Sequence, residues 1–321
     1  MANLDTISRT SVVGSGYMGG GIAHVLALAG YPVALADVDA ATAEKSRDRL
    51  ITQAAQYESL GLFPADAAAA IADKLSAAPS IEHAVSDADY ITEAVPEIVD
   101  VKLETLRRIS GSARPEAIIG TNTSAIPIDE LAKKVHEPSR FLGVHWMNPA
   151  TFIPGVELIA STYTDTETVD VAELFVRSLG KITARVADAP GFVANRLQFA
   201  LYKEALAIVE EGTATPEQVD AVVSNTFGFR LALFGPFAIG DMAGLDVYKG
   251  AYETLEQAFG ERFAVPEVLT TLVEQGRLGV KSGRGLLDIA ESDKDALLAY
   301  RDNAYGRLSA LRADLGPAPG L

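Results

Sequence analysis

The chain has 321 residues, of which 48% are hydrophobic and 22% are charged, a composition that excludes collagen, low-complexity sequence and wholesale disorder. Asp and Glu number 43 against 27 Lys and Arg, so the net charge is −16, and neither nucleic acid nor an anionic membrane surface is an expected partner. The absence of cysteine excludes disulfides, thiolate metal sites and cysteine nucleophiles, and it favours a cytoplasmic location.

Neither a membrane span nor a secretory leader is expected. No apolar run approaches the roughly 20 residues that a span needs, and residues 1–10 lack the apolar core of a signal peptide. The length suggests two domains, because single hydrophobic cores stop growing near roughly 250–300 residues.

The first half of the chain alternates short apolar runs with helical stretches. Strands are predicted at residues 10–13, 32–36, 90–95, 117–120 and 141–144. Helical patterns lie between them, for example at residues 18–29 and 65–72. Because nearly continuous apolar strands separated by helices are typical of a parallel sheet covered on both faces, we predict a doubly wound α/β domain.

Helical patterns dominate the rest of the chain. They include residues 196–210 and 265–273, and the leucines and tyrosine between residues 297 and 311 predict an added amphipathic helix. Pro190-Gly191 marks the change of pattern. We therefore predict that the α/β domain covers residues 1–188 and that an all-helical domain covers residues 189–321.

A glycine-rich turn with the G-x-G-x-x-G spacing joins the first strand to the first helix. Its residues are Gly14, Ser15, Gly16, Tyr17, Met18 and Gly19. Gly14 permits the tight turn, Gly16 lets a pyrophosphate approach the backbone, and Gly19 allows close packing of helix and strand. The N-terminus of the helix offers free N–H groups to the phosphates. The alternatives are a simple tight turn or another nucleotide binder such as a methyltransferase.

Asp37 strengthens the dinucleotide interpretation. It ends the second predicted strand, where an acidic side chain accepts hydrogen bonds from the ribose hydroxyls. Val38 and Asp39 follow it, so no arginine stands there to accept a 2′-phosphate, and NAD is favoured over NADP.

One of the four histidines is a candidate catalytic base. His145 ends an apolar strand, at the edge where open α/β sheets bind ligands, and Glu157 follows in the next apolar segment. The alternative is a buried structural histidine. Packing or capping explains His24, and we expect His83 and His136 to be solvated.

Several ordered motifs resemble the 3-hydroxyacyl-CoA dehydrogenase family over nearly the whole chain. They lie at residues 13–19, 93–97, 121–124, 145–149, 190–196, 235–237, 241–246 and 279–285. The resemblance implies a Rossmann-type NAD-binding domain, a helical C-terminal domain, and an NAD-dependent dehydrogenase that acts on CH–OH groups without a metal. It also implies a homodimer formed through the helical domain, which the apolar content of the long helices supports.

The resemblance further implies a role for individual residues. His145 is the general base and Glu157 orients its imidazole, while Ser124 and Asn195 bind the reacting oxygen. Cofactor contacts are implied for Glu97, Lys102, Asn122, Ser124, Asn148 and Lys281. Solvated surface lysines are the alternative for Lys102 and Lys281.

Three departures place the chain nearer the branch that acts on free hydroxy acids, such as gulonate and carnitine dehydrogenases. Trp146-Met147 stands where members that bind acyl-CoA carry two phenylalanines, and Pro96 follows the Glu-Ala-Val segment. Residues 52–59 contain no basic residue where those members have a lysine-rich tract, although Lys45, Arg47 and Arg49 precede them.

We therefore predict reversible oxidation of a 3-hydroxy group to a 3-keto group on a small carboxylate. The first alternative is a genuine L-3-hydroxyacyl-CoA dehydrogenase of fatty-acid metabolism, and the second is a non-catalytic NAD-binding structural protein. Arg230 either meets a free carboxylate of the substrate or forms a structural ion pair.

Overall fold

The computed structural model describes residues 7–319 and divides into two compact units, Met1–Tyr202 and Lys203–Leu321. Residues 1–6, which carry most of the N-terminal segment considered for a leader, lie outside the described residues. Within the described part of the chain, no helix combines the length and the apolar character that crossing a membrane requires.

The first unit is built on an eight-stranded sheet. Its strands are β1 (Thr10–Val13), β2 (Val33–Ala36), β3 (Leu75–Ala77), β4 (Tyr90–Glu93), β5 (Ile118–Thr121), β6 (Phe141–Trp146), β7 (Gly155–Ala160) and β8 (Ile182–Val186). The spatial order is β3-β2-β1-β4-β5-β6-β7-β8. Strands β1 to β6 pair in parallel, so all five predicted strands are confirmed, with ends shifted by at most two residues. The order 3-2-1-4-5-6 is that of a Rossmann-type sheet.

Strand β7 departs from the parallel arrangement, and the sequence reasoning missed it together with β3 and β8. It pairs antiparallel with β6, and β8 pairs in parallel with β7. An antiparallel partner needs only a loop, here residues 147–154, whereas a parallel one requires a crossover helix.

Helices cover both faces of the sheet. They are α1 (Tyr17–Leu28), α2 (Ala40–Ser59), α3 (Ala67–Lys74), α4 (Ile81–Val85), α5 (Val99–Ser112), α6 (Ile128–Ala132) and α7 (Thr166–Ser178). Val12 belongs to an apolar cluster with α1, α2 and α7, while Val13 belongs to a second cluster with α4, α5 and α6. Because adjacent residues of a strand point to opposite faces, the two clusters lie on opposite sides of the sheet, which confirms the doubly wound domain.

The second unit is helical, as predicted. Helix α8 (Ala194–Glu210) leads into it, followed by α9 (Pro216–Asn225), α10 (Phe227–Leu231), α11 (Pro236–Ala243), α12 (Leu245–Phe259), α13 (Glu267–Glu274) and α14 (Lys294–Leu315). The predicted C-terminal helix is therefore confirmed. Its Tyr305 ring lies 5.8 Å from the rings of both Phe229 and Phe234.

The division between the two units falls inside α8, whereas the sequence places a domain boundary at residues 188 and 189. The first turn of α8 belongs to the first unit, where the Asn195 side chain bonds to the backbone of Ser124. The sequence boundary stays a prediction.

Candidate active site

The glycine turn closes tightly at two positions and stays open at a third. Gly14 has φ +94°, and a Cβ there would lie 2.6 Å from the Ala94 carbonyl group. A Cβ at Gly19 would lie 1.8 Å from the Gly14 oxygen, whereas one at Gly16 would meet nothing within 4 Å. Gly16 is also the N-cap of α1. The turn therefore leaves a space at the positive end of α1 that fits a pyrophosphate.

Asp37 lies beside this turn, and its contact with the ribose hydroxyls stays a prediction. Its Oδ2 accepts hydrogen bonds from the Ser15 N–H at 2.8 Å and the Ser15 hydroxyl at 2.5 Å. Arg49, which the sequence analysis did not assign to this site, donates from α2 to the Ser15 carbonyl oxygen at 2.8 Å. Tyr17 and Met18 form the first turn of α1, and Tyr17 is 65% exposed.

His145 and Glu157 face each other across the β6–β7 pair. They are register partners, and the His145 Nδ1 lies 2.9 Å from the Glu157 Oε2. The other oxygen, Oε1, accepts the N–H groups of Val193 at 3.0 Å and Ala194 at 2.9 Å. Burial alone would raise the pKa of Glu157, but these hydrogen bonds outweigh it and hold the pKa below its ordinary value. An ionised Glu157 favours the proton on Nδ1, which leaves Nε2 free to accept one.

Ser124 occupies the Nε2 side of His145. The Ser124 hydroxyl lies 3.2 Å from Nε2, and the Asn195 Nδ2 donates to the Ser124 carbonyl oxygen at 3.0 Å. The structure thus brings together the four residues predicted to be catalytic. His145 and Glu157 are only 3% and 6% exposed, so water has little access to the pair.

Glu97 holds the loop that carries Ser124. Its Oε1 accepts the Thr123 hydroxyl at 2.5 Å and the N–H groups of Ser124 at 2.9 Å and Ala125 at 3.0 Å. Burial would raise the pKa of Glu97, but these bonds and the nearby Lys102 ammonium lower it overall. The carboxylate therefore stays ionised and fixes the position of Ser124.

Lys102 is buried, so the surface-lysine alternative is wrong for this residue. Its Nζ lies 2.9 Å from the Glu93 Oε1 and 3.4 Å from the Glu97 Oε2. Glu93, which was not among the predicted site residues, also accepts the Val95 N–H and the Thr121 hydroxyl. The sequence does contain a signal that could have identified Glu93. It is an acidic residue at the end of an apolar strand, at the edge of the sheet where ligands bind.

The remaining predicted cofactor residues fall in three places. Asn122 accepts the Trp146 N–H at 2.9 Å and so braces the strand next to His145. Asn148 is exposed and precedes the cis peptide bond to Pro149. Lys281 belongs to the second unit and pairs with Asp246 at 2.8 Å, so its contact with the cofactor stays a prediction.

Arg230 is also in the second unit, on α10. Its guanidinium forms no ion pair within residues 7–319, so the structure lends no support to the structural ion pair considered for it. His24 is buried with its Nε2 2.9 Å from the Leu50 carbonyl oxygen, whereas His83 and His136 are exposed, as predicted.

Comparison with known proteins identifies the two parts of the chain. Residues 9–189 match the family model "3-hydroxyacyl-CoA dehydrogenase, NAD binding domain", and residues 191–289 match "3-hydroxyacyl-CoA dehydrogenase, C-terminal domain". The 5-formyl-3-hydroxy-2-methylpyridine 4-carboxylate 5-dehydrogenase of Mesorhizobium japonicum is 35% identical over 92% of this chain and 95% of its own.

Relatives named for acyl-CoA substrates are similarly close. A probable 3-hydroxybutyryl-CoA dehydrogenase of Bacillus subtilis is 34% identical over 89% of this chain and 98% of its own. The crystal structure of a 3-hydroxyacyl-CoA dehydrogenase from Archaeoglobus fulgidus superimposes with a TM-score of 0.78 at 33% identity, covering 94% of this chain and 99% of that one.

Proposed function

Because the chain belongs to the 3-hydroxyacyl-CoA dehydrogenase family, we propose that this NAD-dependent dehydrogenase oxidises a small free 3-hydroxy acid rather than a CoA thioester. The reaction of the family is the reversible conversion of a CH–OH group to a carbonyl group. The observation that supports this chemistry best is the ionised Glu157 on one nitrogen of His145 with Ser124 on the other.

The glycine turn and Asp37 fit NAD, because the turn is open only where the pyrophosphate needs space. When bound, NAD supplies the acceptor for the hydride that leaves the carbinol carbon. The His145 Nε2 takes the hydroxyl proton, and Glu157 stabilises the imidazolium that forms. Ser124 donates a hydrogen bond to the reacting oxygen, with Asn195 fixing the Ser124 backbone.

The second half of α2 supports a substrate without CoA. Residues 52–59 carry no lysine or arginine, and the Glu58 carboxylate accepts the N–H groups of Asp66 and Ala68. Of the earlier basic residues, Arg47 pairs with Asp48, Arg49 bonds to the Ser15 carbonyl oxygen, and Lys45 is exposed without an ion pair among the described residues. The phosphates of CoA would find few free donors on this helix, in a chain of net charge −16.

NADH formation with a panel of substrates tests the proposal. The panel contains 3-hydroxybutyrate, longer and more polar 3-hydroxy acids, and L-3-hydroxybutyryl-CoA. We expect the highest kcat/KM for a free acid. A kcat/KM near or above about 10⁵ M⁻¹s⁻¹ for the thioester lies within the usual range for real substrates. That result would instead support an L-3-hydroxyacyl-CoA dehydrogenase of fatty-acid metabolism. Binding of NADH without turnover of any 3-hydroxy compound would favour a structural NAD-binding protein.

We further propose a homodimer and a cytoplasmic location. Helix α8 exposes Leu197 by 57%, Phe199 by 61% and Tyr202 by 60%, and apolar surface of this kind favours association with a second copy. Light scattering should give twice the chain mass of 33.9 kDa, and a mass near 33.9 kDa at micromolar concentration contradicts the dimer. The location rests on the absence of cysteine, and fractionation of the source cells tests it.

A further inference from the structure

A pocket of about 570 Å³ lies in the first unit, apart from the residues assigned to the active site. It is formed by the end of α1, the segment after α2, the β6–β7 loop and the segment between α7 and β8. None of the predicted catalytic or cofactor-binding residues is among the described residues that line it. Its volume is in the range of small-molecule binding sites.

Several apolar side chains line this pocket, together with polar groups. Leu28, Leu62, Phe63 and Phe152 contribute to it, and Leu62 and Phe152 remain 53% and 43% exposed. The Phe152 ring lies 5.3 Å from the ring of Tyr57, and the Phe63 ring lies 5.6 Å from His24. These edge contacts hold the aromatic wall in place and leave apolar surface that a ligand could cover.

Lys181 is the one charged residue among the described residues that line this pocket. It is 8% exposed, and its Nζ donates to the carbonyl oxygens of Ala150 at 2.7 Å and Ile153 at 2.8 Å. Within the described chain no carboxylate pairs with it, and burial lowers the pKa of its ammonium. The Nζ also lies 5.5 Å from the centroid of the Trp146 ring, but an ammonium has three N–H donors, and only two of them have a hydrogen-bond acceptor among the described residues.

A buried cation without a counter-ion is costly, and this chain has 43 acidic residues from which a partner could have come. An anionic ligand would supply the missing charge. The leucine and phenylalanine side chains on the wall favour an apolar body for the rest of the ligand, and a single lysine favours a single negative charge over a phosphate or a dicarboxylate.

We propose that this pocket is a second binding site, which takes a monocarboxylate with a short apolar body. The carboxylate meets the Lys181 Nζ, and the apolar body covers Leu62 and Phe152. The site uses neither His145 nor the glycine turn, so a test of this site does not depend on the proposed function.

The only tryptophan of the chain provides a built-in probe. Trp146 is 2% exposed, and its ring centroid lies 5.5 Å from the Lys181 Nζ, so a ligand on Lys181 should change its fluorescence. Hexanoate and its neutral analogue hexan-1-ol are titrated into the full chain. We expect saturable binding of hexanoate at least about tenfold tighter than that of the alcohol, because only the acid pairs with the ammonium.

Lys181→Met removes the charge and keeps the aliphatic stem, so the preference for hexanoate should disappear. Because this variant also loses two hydrogen bonds to the backbone, Ala29→Phe at the pocket rim gives a second test that fills the pocket and should weaken both probes. Ala55→Phe, at an exposed position of α2 that does not line the pocket, is the matched control and should bind like the unmodified chain.

Three results would overturn the site. They are the absence of a saturable signal at millimolar hexanoate, equal affinity for acid and alcohol in the unmodified chain, and loss of the hexanoate signal in His145→Gln. The last would place the acid at the proposed active site instead. NADH binding is measured separately in each variant. This measurement distinguishes a loss of cofactor binding from a loss of hexanoate binding.

Discussion

The two ring nitrogens of His145 have different partners, Glu157 on Nδ1 and Ser124 on Nε2. His145→Gln keeps the approximate volume but removes the proton acceptor. We expect kcat to fall by about 10²–10⁴-fold, the usual contribution of a general base. NADH affinity, measured by fluorescence titration, should stay unchanged, because the glycine turn and Asp37 are untouched. A variant that retains most of its activity contradicts the assignment.

Glu157 links the site to the stability of the fold. Its pKa lies below the ordinary 4.5, so its ionised form stabilises the native state. For a carboxyl with a lowered folded-state pKa, the stabilisation is complete above the unfolded-state pKa and is lost as the pH falls through the folded-state pKa. The free energy of unfolding of Glu157→Gln should therefore depend less on pH below 4.5 than that of the unmodified chain. Urea titrations at several acidic pH values measure both slopes, and equal slopes would refute the linkage.

Glu93 is the buried partner of Lys102, with both side chains at most 1% exposed. Glu93→Gln removes the nearer counter-charge and leaves Glu97 as the remaining carboxylate beside the ammonium, so we expect a loss of about 3–5 kcal/mol in unfolding free energy. Glu130→Gln breaks an exposed pair with Lys133 and is the matched control, with an expected loss much smaller than that of Glu93→Gln. Comparable losses of unfolding free energy in the two variants would show that the buried pair stabilises the fold no more than the exposed pair does.

Within the turn between β1 and α1, the two outer glycines have a structural role and the middle one leaves space for a ligand. Gly19→Ala places a Cβ against the Gly14 oxygen and should lower the melting temperature sharply. Gly16→Ala meets no protein atom within 4 Å, so it should fold normally but bind NADH more weakly. Thermal denaturation and NADH titration of both variants separate the two effects. Unchanged NADH affinity in Gly16→Ala would mean that the pyrophosphate does not approach there.

Apolar runs and glycine signals were sufficient to predict β1, β2, β4, β5 and β6, the glycine turn and the helical character of the second unit. They could not predict β7, because its pairing with β6 depends on residues that only the folded chain brings together. The contact between His145 and Glu157 therefore followed from resemblance and not from spacing. The burial of Lys102 could not be predicted either, because lysine side chains are mostly exposed. Its contact with Glu93 forms only when β4 and α5 pack together.

At the scale of the whole molecule, the net charge of −16 opposes the approach of any anion. CoA carries more negative charges than a hydroxy acid, so salt that screens the repulsion from the protein should favour binding of the thioester more than binding of the acid. We expect kcat/KM for 3-hydroxybutyryl-CoA to rise more than that for 3-hydroxybutyrate as salt increases from about 0.05 M to about 0.5 M, where the Debye length shortens severalfold. A fall for the thioester would instead reveal a local basic patch that attracts CoA.

The antiparallel register of β6 and β7 has a consequence for how this enzyme can vary. A slip of one residue in either strand would turn His145 and Glu157 to opposite faces of the sheet. A single-residue insertion within β6 or β7 should therefore abolish activity however conservative the inserted residue, while an insertion next to the exposed Phe152 in the 147–154 loop leaves the register intact. In a library of insertion variants, we expect active clones to tolerate length changes next to Phe152 and to reject them within either strand.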